Sequence, residues 1–288
     1  MKRITCLGLG LMGAPMARRL LDHGYELTVW NRNGARADSL AKAGARVAAS
    51  PAEAARGAEA VIAMLADDEA SRAVWLGASG ALATMDRGAL AIESSTLTVR
   101  WVRDLGAQAE ARGIGFLDAP VTGSKPQAEQ GALNFLVGGD AAAVERATPL
   151  FMAMGRGRVH VGPAGSGALL KLINNFMCGV QLASLGEAIG MAQRSGLDIR
   201  RTADVLATGS PGSPIVKMVV ERMVSRDYTP NFLVPLMIKD LSYAMETFAA
   251  EGIDLADARA ARERFIEAMA AGYHDRDIAA VVEPLRRA

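Results

Sequence analysis

The stretch ITCLGLGLMGAPMA, residues 4–17, decides how the first half of the chain is read. Its first four residues are a short apolar run of the kind a buried strand needs. Gly8, Gly10 and Gly13 then fall in the spacing G-x-G-x-x-G, and helical periodicity follows as far as His23. The first glycine permits a tight turn, the second lets the backbone approach a ligand, and the third allows close helix–strand packing. A helix starting at Ala14 and Pro15 offers free N–H groups at its beginning, which suit a phosphate. Strand, glycines and helix in this order predict a dinucleotide loop. The plainer alternative is a strand–helix turn without a ligand.

The same alternation continues. Residues 27–30, 60–65, 89–92, 114–117, 133–137 and 159–161 are strand-like, with a brief candidate at 47–49. Residues 35–43 and 99–111 are helical, Ser50-Pro51 caps and starts a further helix, and Asp67-Asp68 opens another at the positive end of its dipole. Strands separated by helices imply a parallel sheet with right-handed crossovers. Beyond Gly162-Pro163-Ala164-Gly165 no strand pattern remains. Residues 167–194 are one long apolar-periodic segment, and helical stretches follow it. The expected fold is therefore a Rossmann-type, mostly parallel α/β domain over 1–163 and an all-helical domain over 164–288, joined by a long helix.

Composition narrows the function. The chain has 288 residues, 50% hydrophobic and 22% charged, with a net charge of +1. That balance suits two globular domains and gives no basic surface for nucleic acid or an acidic membrane. No apolar stretch reads as a membrane span or a signal peptide. The two cysteines, Cys6 in the first strand and Cys178 in the long helix, read as buried hydrophobes of a reducing compartment, which predicts a cytoplasmic location.

The second strand ends Val29-Trp30-Asn31-Arg32. A carboxylate at its end would bond both ribose hydroxyls of NAD and repel a 2′-phosphate. Neutral Asn31 beside Arg32, with Asn33 and Arg36 close by, favours NADP(H) and leaves NAD(H) possible. Reducing a carbonyl by hydride also needs a proton donor. His23, His160 and His274 sit at a helix end, in a strand and in a polar tail, and no tyrosine has a lysine four residues on. Lys171 is different. It lies on the apolar helix, with Asn175 one turn further along the same face. Burial brings a lysine toward proton transfer near neutrality; a lysine snorkelling from a packed helix is the alternative.

With these segments in view, the chain resembles the β-hydroxyacid dehydrogenase family from end to end. Gly8-Leu9-Gly10-Leu11-Met12-Gly13-Ala14-Pro15-Met16-Ala17 is similar to its cofactor signature. Asp118-Ala119-Pro120-Val121-Thr122-Gly123-Ser124 is similar to its substrate motif, Gly167-x-x-x-Lys171-x-x-Asn174-Asn175 to its catalytic motif, and Lys239-Asp240 to its late cofactor motif. The resemblance implies that Lys171 is the general acid for reduction and the base for the reverse reaction. It implies that Asn175 orients the substrate and that Thr122, Gly123 and Ser124 bind its carboxylate. Phe232 and Asp240 would close the substrate pocket, although a core role for Phe232 stays open. Leu11 and Met12 would lie in the phosphate loop, and Met64 and Leu65 would line the adenosine-ribose side. Thr96 would sit beside the nicotinamide, and Lys239 would reach the cofactor from the helical domain. No metal is implied. The segment Gly123-Ser124-Lys125 is closest to the glyoxylate/succinic semialdehyde reductase branch. The implied substrate is a short carboxylate-bearing semialdehyde, 2-oxo acid or β-hydroxyacid. The apolar helical half predicts a homodimer or homotetramer.

Overall fold

The computed structural model describes residues 1–286. The chain divides into two compact units, Met1–Lys171 and Leu172–Ala288. In the first, β1 (Arg3–Leu7), α1 (Gly13–Asp22) and β2 (Glu26–Trp30) lead through a 3-10 turn (Gly34–Ala37) to α2 (Asp38–Lys42) and β3 (Arg46–Val47). Next come α3 (Pro51–Ala55), β4 (Ala60–Ala63), α4 (Asp68–Leu76), β5 (Leu90–Glu93), α5 (Val99–Glu110) and β6 (Gly115–Asp118). The unit continues with β7 (Val121–Thr122), α6 (Lys125–Gln130), β8 (Leu133–Gly139), α7 (Ala141–Met154) and β9 (Gly155–Gly162), then enters α8 (Ser166–Arg194).

The sheet order is β3-β2-β1-β4-β5-β6-β8-β7, with β9 on β8. Strands β1 to β6 pair in parallel. β4 and β5 are buried at every residue, as strands covered on both faces must be. α1 turns Met16, Ala17 and Leu20 into the core beneath it.

A wholly parallel continuation does not hold at the far edge. β8 runs antiparallel to β6 and β7, and β9 then pairs with β8 in parallel. Between β6 and β8 the chain forms β7, which itself pairs antiparallel with β8, and only a short helix. The six residues of α6 span only about 9 Å, and Gly131 ends that helix in the left-handed conformation at φ 66°. The chain turns back there.

In the second unit the rest of α8 is followed by α9 (Ile199–Thr208), α10 (Pro214–Ser225), α11 (Val234–Ala250), α12 (Ala256–Ala268) and a 3-10 segment (Ile278–Leu285). Glycines on α8 let the others approach. A Cβ on Gly179 would lie 2.9 Å from Leu241 Cδ2, and one on Gly190 would lie 2.9 Å from Leu285 Cβ. Leu182, Leu185 and Ile189 are buried around them. One expectation, that no stretch is long and apolar enough to span a membrane, is corrected by α8 itself. By length and composition α8 is apolar enough to cross a membrane, with a mean hydropathy of 1.3 over its best window. Of that window 44% is buried, and its buried side chains belong to the core of the helical unit. The expected boundary at residue 163 lies just before α8, whereas the two units part inside it.

Cys6 lies within β1 and is 4% exposed; burial pushes its thiol up to about 12. Cys178 is only half-buried rather than buried.

Candidate active site

The glycine loop leaves β1 at the point where the strand order reverses, between β1 and β4, which is where ligands settle on open α/β sheets. Gly8 has φ +93°, and a Cβ there would lie 2.3 Å from the Met64 carbonyl oxygen. A Cβ on Gly13 would lie 1.9 Å from the Gly8 carbonyl oxygen, so neither position admits a side chain. Gly10 differs. The nearest atom to a Cβ there is Arg36 Nη1 at 3.9 Å, which leaves open space beneath a guanidinium.

After Leu11 and Met12, α1 begins with no side-chain cap and no acid in its first turn. Other helices of this unit are capped by their own residues: Ser50 on α3, Asp67 on α4, Thr98 on α5 and Asp140 on α7. α2 also lacks a side-chain cap but carries Asp38 in its first turn, so the start at the glycine loop, with neither cap nor acid, is the one that suits an anion. A cradle closed to side chains at Gly8 and Gly13 and open at Gly10 fits a dinucleotide pyrophosphate.

Asn31 holds this loop. Its Oδ1 accepts the Leu9 N–H at 2.8 Å, and its Nδ2 donates to the Asn33 carbonyl at 2.9 Å. Arg32 and Arg36 are both exposed beside it. On the other side of the loop, the Met64 N–H donates to the Leu7 carbonyl and Leu65 N–H to Ser95 Oγ at 2.7 Å. Thr96, half-buried, follows β5.

The substrate motif begins with Asp118, which is 1% exposed. Its Oδ1 accepts the Gly165 N–H at 2.8 Å and its Oδ2 the Ala168 N–H at 2.7 Å. The carboxylate thus grips the first turn of α8, and Lys171 lies one turn further on. Glycines make room for it, since a Cβ on Gly138 would stand 2.5 Å from Asp118 Oδ1 and one on Gly167 would stand 2.9 Å from Oδ2. Burial pushes the Asp118 carboxyl above its ordinary range, and the backbone N–H donors pull it back. Thr122 pairs with Asn134 in the sheet, and Gly123 adopts φ +107°. The Ser124 N–H and hydroxyl both donate to Gln127 Oε1 at 2.9 Å, so those two donors already serve the capping box of α6. Lys171 is 9% exposed.

In the second unit Asn175, Lys239 and Asp240 come together. Asn175 Nδ2 donates to Asp240 Oδ2 at 2.6 Å, and Asn174 Nδ2 donates to Asn175 Oδ1 at 3.0 Å. The Lys239 ammonium lies 3.0 Å from Asp240 Oδ1 and 4.9 Å from the centre of the Tyr243 ring. Asp240 is 2% exposed, and it fixes the Asn175 amide and the Lys239 ammonium. Phe232 is half-buried, and its N–H donates to Asp277 Oδ2 at 3.0 Å. Asp277 also takes the Asn231 N–H and pairs with Arg222 at 2.9 Å. Sequence reasoning quoted Asp118 without giving it a role and passed over Asp277 and Tyr243. Partners far along the chain define Asp118 and Asp277, whereas Tyr243 meets Lys239 one turn away on the same helix.

The family model described as the NAD binding domain of 6-phosphogluconate dehydrogenase matches residues 3–162. The model described as NAD-binding of NADP-dependent 3-hydroxyisobutyrate dehydrogenase matches residues 165–285. Among curated proteins, the NAD-dependent L-serine dehydrogenase of Pseudomonas aeruginosa is 37% identical, over 98% of this chain and 97% of that protein. The chloroplastic glyoxylate/succinic semialdehyde reductase 2 of Arabidopsis thaliana is 34% identical, over 99% of this chain and 80% of that protein. Among solved structures, the Mycobacterium tuberculosis 3-hydroxyisobutyrate dehydrogenase with L-serine is 33% identical with a TM-score of 0.89, covering 100% of both chains.

Proposed function

The chain belongs to the β-hydroxyacid dehydrogenase family, and from that premise we propose that it is an NADP(H)-preferring reductase of short carboxylate-bearing aldehydes or 2-oxo acids. At the family level it is an NAD(P)-dependent oxidoreductase acting on CH–OH groups. The observation that carries the finer reading is Lys171, a buried lysine on a helix whose start is gripped by Asp118.

A bound nicotinamide supplies hydride to the carbonyl carbon. Lys171 supplies the proton that the carbonyl oxygen must gain, and in the reverse direction its neutral amine takes the hydroxyl proton. Asn175, with its amide oriented by Asp240 and Asn174, holds the substrate oxygen by hydrogen bonding. The Thr122 hydroxyl and the Gly123 N–H take the substrate carboxylate, with Ser124 joining if its donors leave Gln127. Arg32 and Arg36 favour NADP(H), because a planar guanidinium fork suits a 2′-phosphate and no carboxylate stands at position 31 to repel it. Leu11, Met12, Met64, Leu65, Thr96 and Lys239 complete the cofactor contacts in this reading.

Nicotinamide absorbance during turnover tests it. NADPH should be oxidised with glyoxylate or succinic semialdehyde and not with a cyclic imine. L-Serine and 3-hydroxyisobutyrate, offered with NADP and with NAD, test the oxidative alternative raised by the names of the P. aeruginosa and M. tuberculosis proteins. Turnover confined to L-serine with NAD would overturn the proposal.

A further inference from the structure

Glu93 ends β5 and is fully buried, at 0% exposure. Four donors converge on its carboxylate. Ser71 Oγ and Trp75 Nε1 reach Oε2 at 2.7 and 2.8 Å. The Ser95 N–H and Ser95 hydroxyl reach Oε1 at 2.9 and 2.5 Å.

Two of these bonds come from N–H groups, which have one direction only. Ser71 Oγ also accepts the Trp101 indole N–H at 3.0 Å, and Ser95 Oγ also accepts the Leu65 N–H at 2.7 Å. The Trp75 indole N–H and the Ser95 N–H can only donate, one to each carboxyl oxygen, and each hydroxyl keeps a proton to offer Glu93 beside the N–H it accepts. Burial pushes the Glu93 carboxyl above its ordinary range, and these donors pull it back. Burying a carboxylate this deeply is costly unless every oxygen is satisfied, and a core needs no such group for packing.

Its connections lead to the cofactor loop. Through Ser95, Glu93 fixes the backbone of Leu65. The Leu65 side chain in turn stands against the glycine loop, with Cδ2 2.9 Å from where a Gly8 Cβ would be. The same two bonds to Ser95 set the course of the chain into Thr96. One buried group thus ties together the segments that follow β4 and β5, both at the C-terminal edge of the sheet.

We propose that Glu93 is a positioning residue for the cofactor, acting through Ser95 to hold Leu65 against the glycine loop and Thr96 in line. This rests on the reading that the segments after β4 and β5 carry the dinucleotide.

The test measures NADPH affinity by fluorescence titration, the aldehyde KM at saturating NADPH, and the Tm, for Glu93→Gln and Ser95→Ala. Glu93→Gln turns an amide donor toward groups that are themselves donors, and NADPH Kd should rise by about tenfold or more. Ser95→Ala removes the hydroxyl that joins Glu93 to Leu65 and leaves Glu93 its bonds to Ser71, Trp75 and the Ser95 N–H. It should raise NADPH Kd by about three- to tenfold with little loss of Tm. The aldehyde KM should not move in either variant. If Glu93→Gln fails to fold, Ser95→Ala decides. Wild-type NADPH affinity in the folded variants, with a lowered Tm, would show a purely structural network and overturn the inference alone. A wild-type chain that bound neither NADPH nor NADH would overturn the cofactor reading as well.

Discussion

Lys171 and the arginines beside the glycine loop divide the proposed chemistry between proton and cofactor, and single substitutions separate the two. Lys171→Ala removes the proton donor and should lower kcat by about two to four decades, the usual span of general acid–base catalysis. NADPH Kd should stay at its wild-type value, because the glycine loop, Asn31 and the arginines are untouched. Lys171→Arg should restore little, since a guanidinium does not release its proton near neutrality. Steady-state kinetics with a parallel binding titration checks both. Arg32→Ala and Arg36→Ala act in the opposite sense. Each should lose about 1.5–3 kcal/mol of charged hydrogen bonding to a 2′-phosphate, or about one to two decades in the NADPH KM, with the NADH KM unchanged. Equal effects on the two cofactors would remove the arginines from phosphate recognition.

At the scale of elements, the start of α8 is the joint on which the catalytic lysine depends. Asp118→Asn leaves one of the two backbone N–H groups, at Gly165 or Ala168, facing an amide that cannot accept from it. The expected loss is about 1–3 kcal/mol in thermal unfolding, together with a fall in kcat that NADPH saturation does not repair. Unchanged kcat in a folded Asp118→Asn protein would show that the grip on α8 serves stability alone. What could be read beforehand follows the same division between local and distant causes. The glycine loop and α1 were legible because a turn, a close approach and a helix start constrain residues that are adjacent in sequence. The core strands were legible because residues buried on both faces leave unbroken apolar runs, as at 60–63 and 90–92. The two-residue β7, the short α6 and the antiparallel turn of β8 were not, because their pairing is set by tertiary contacts rather than by pattern. The role of Asp118 was hidden for a related reason: its partners lie 47 and 50 residues further along.

Across the whole molecule, burial of ionisable groups links stability to pH. Asp118 titrates above its unfolded value of about 3.9. A raised acid contributes stability that is fully present below the unfolded value and is lost as pH rises through the folded one. The Tm difference between wild type and Asp118→Asn should therefore be widest in acid and narrow toward neutral pH; a gap that widened with pH would reverse the assignment. Assembly is a second property at this scale. Met191, Leu197, Val205 and Ile253 are exposed apolar side chains of the helical unit, and we propose that this unit carries the contact of a homodimer or homotetramer. Light scattering should then give two or four times the chain mass of 30.2 kDa, and a monomer at micromolar concentration would refute it. Finally, the depth of Cys6 has a practical use. With its thiol held up to about 12, Cys6 stays unreactive toward maleimides and iodoacetamides at ordinary pH, because only the thiolate attacks them. The chain has two cysteines, so such a reagent is directed to half-buried Cys178. A fluorine tag or fluorophore can then be placed at one known site, three residues past Asn175, in the native sequence.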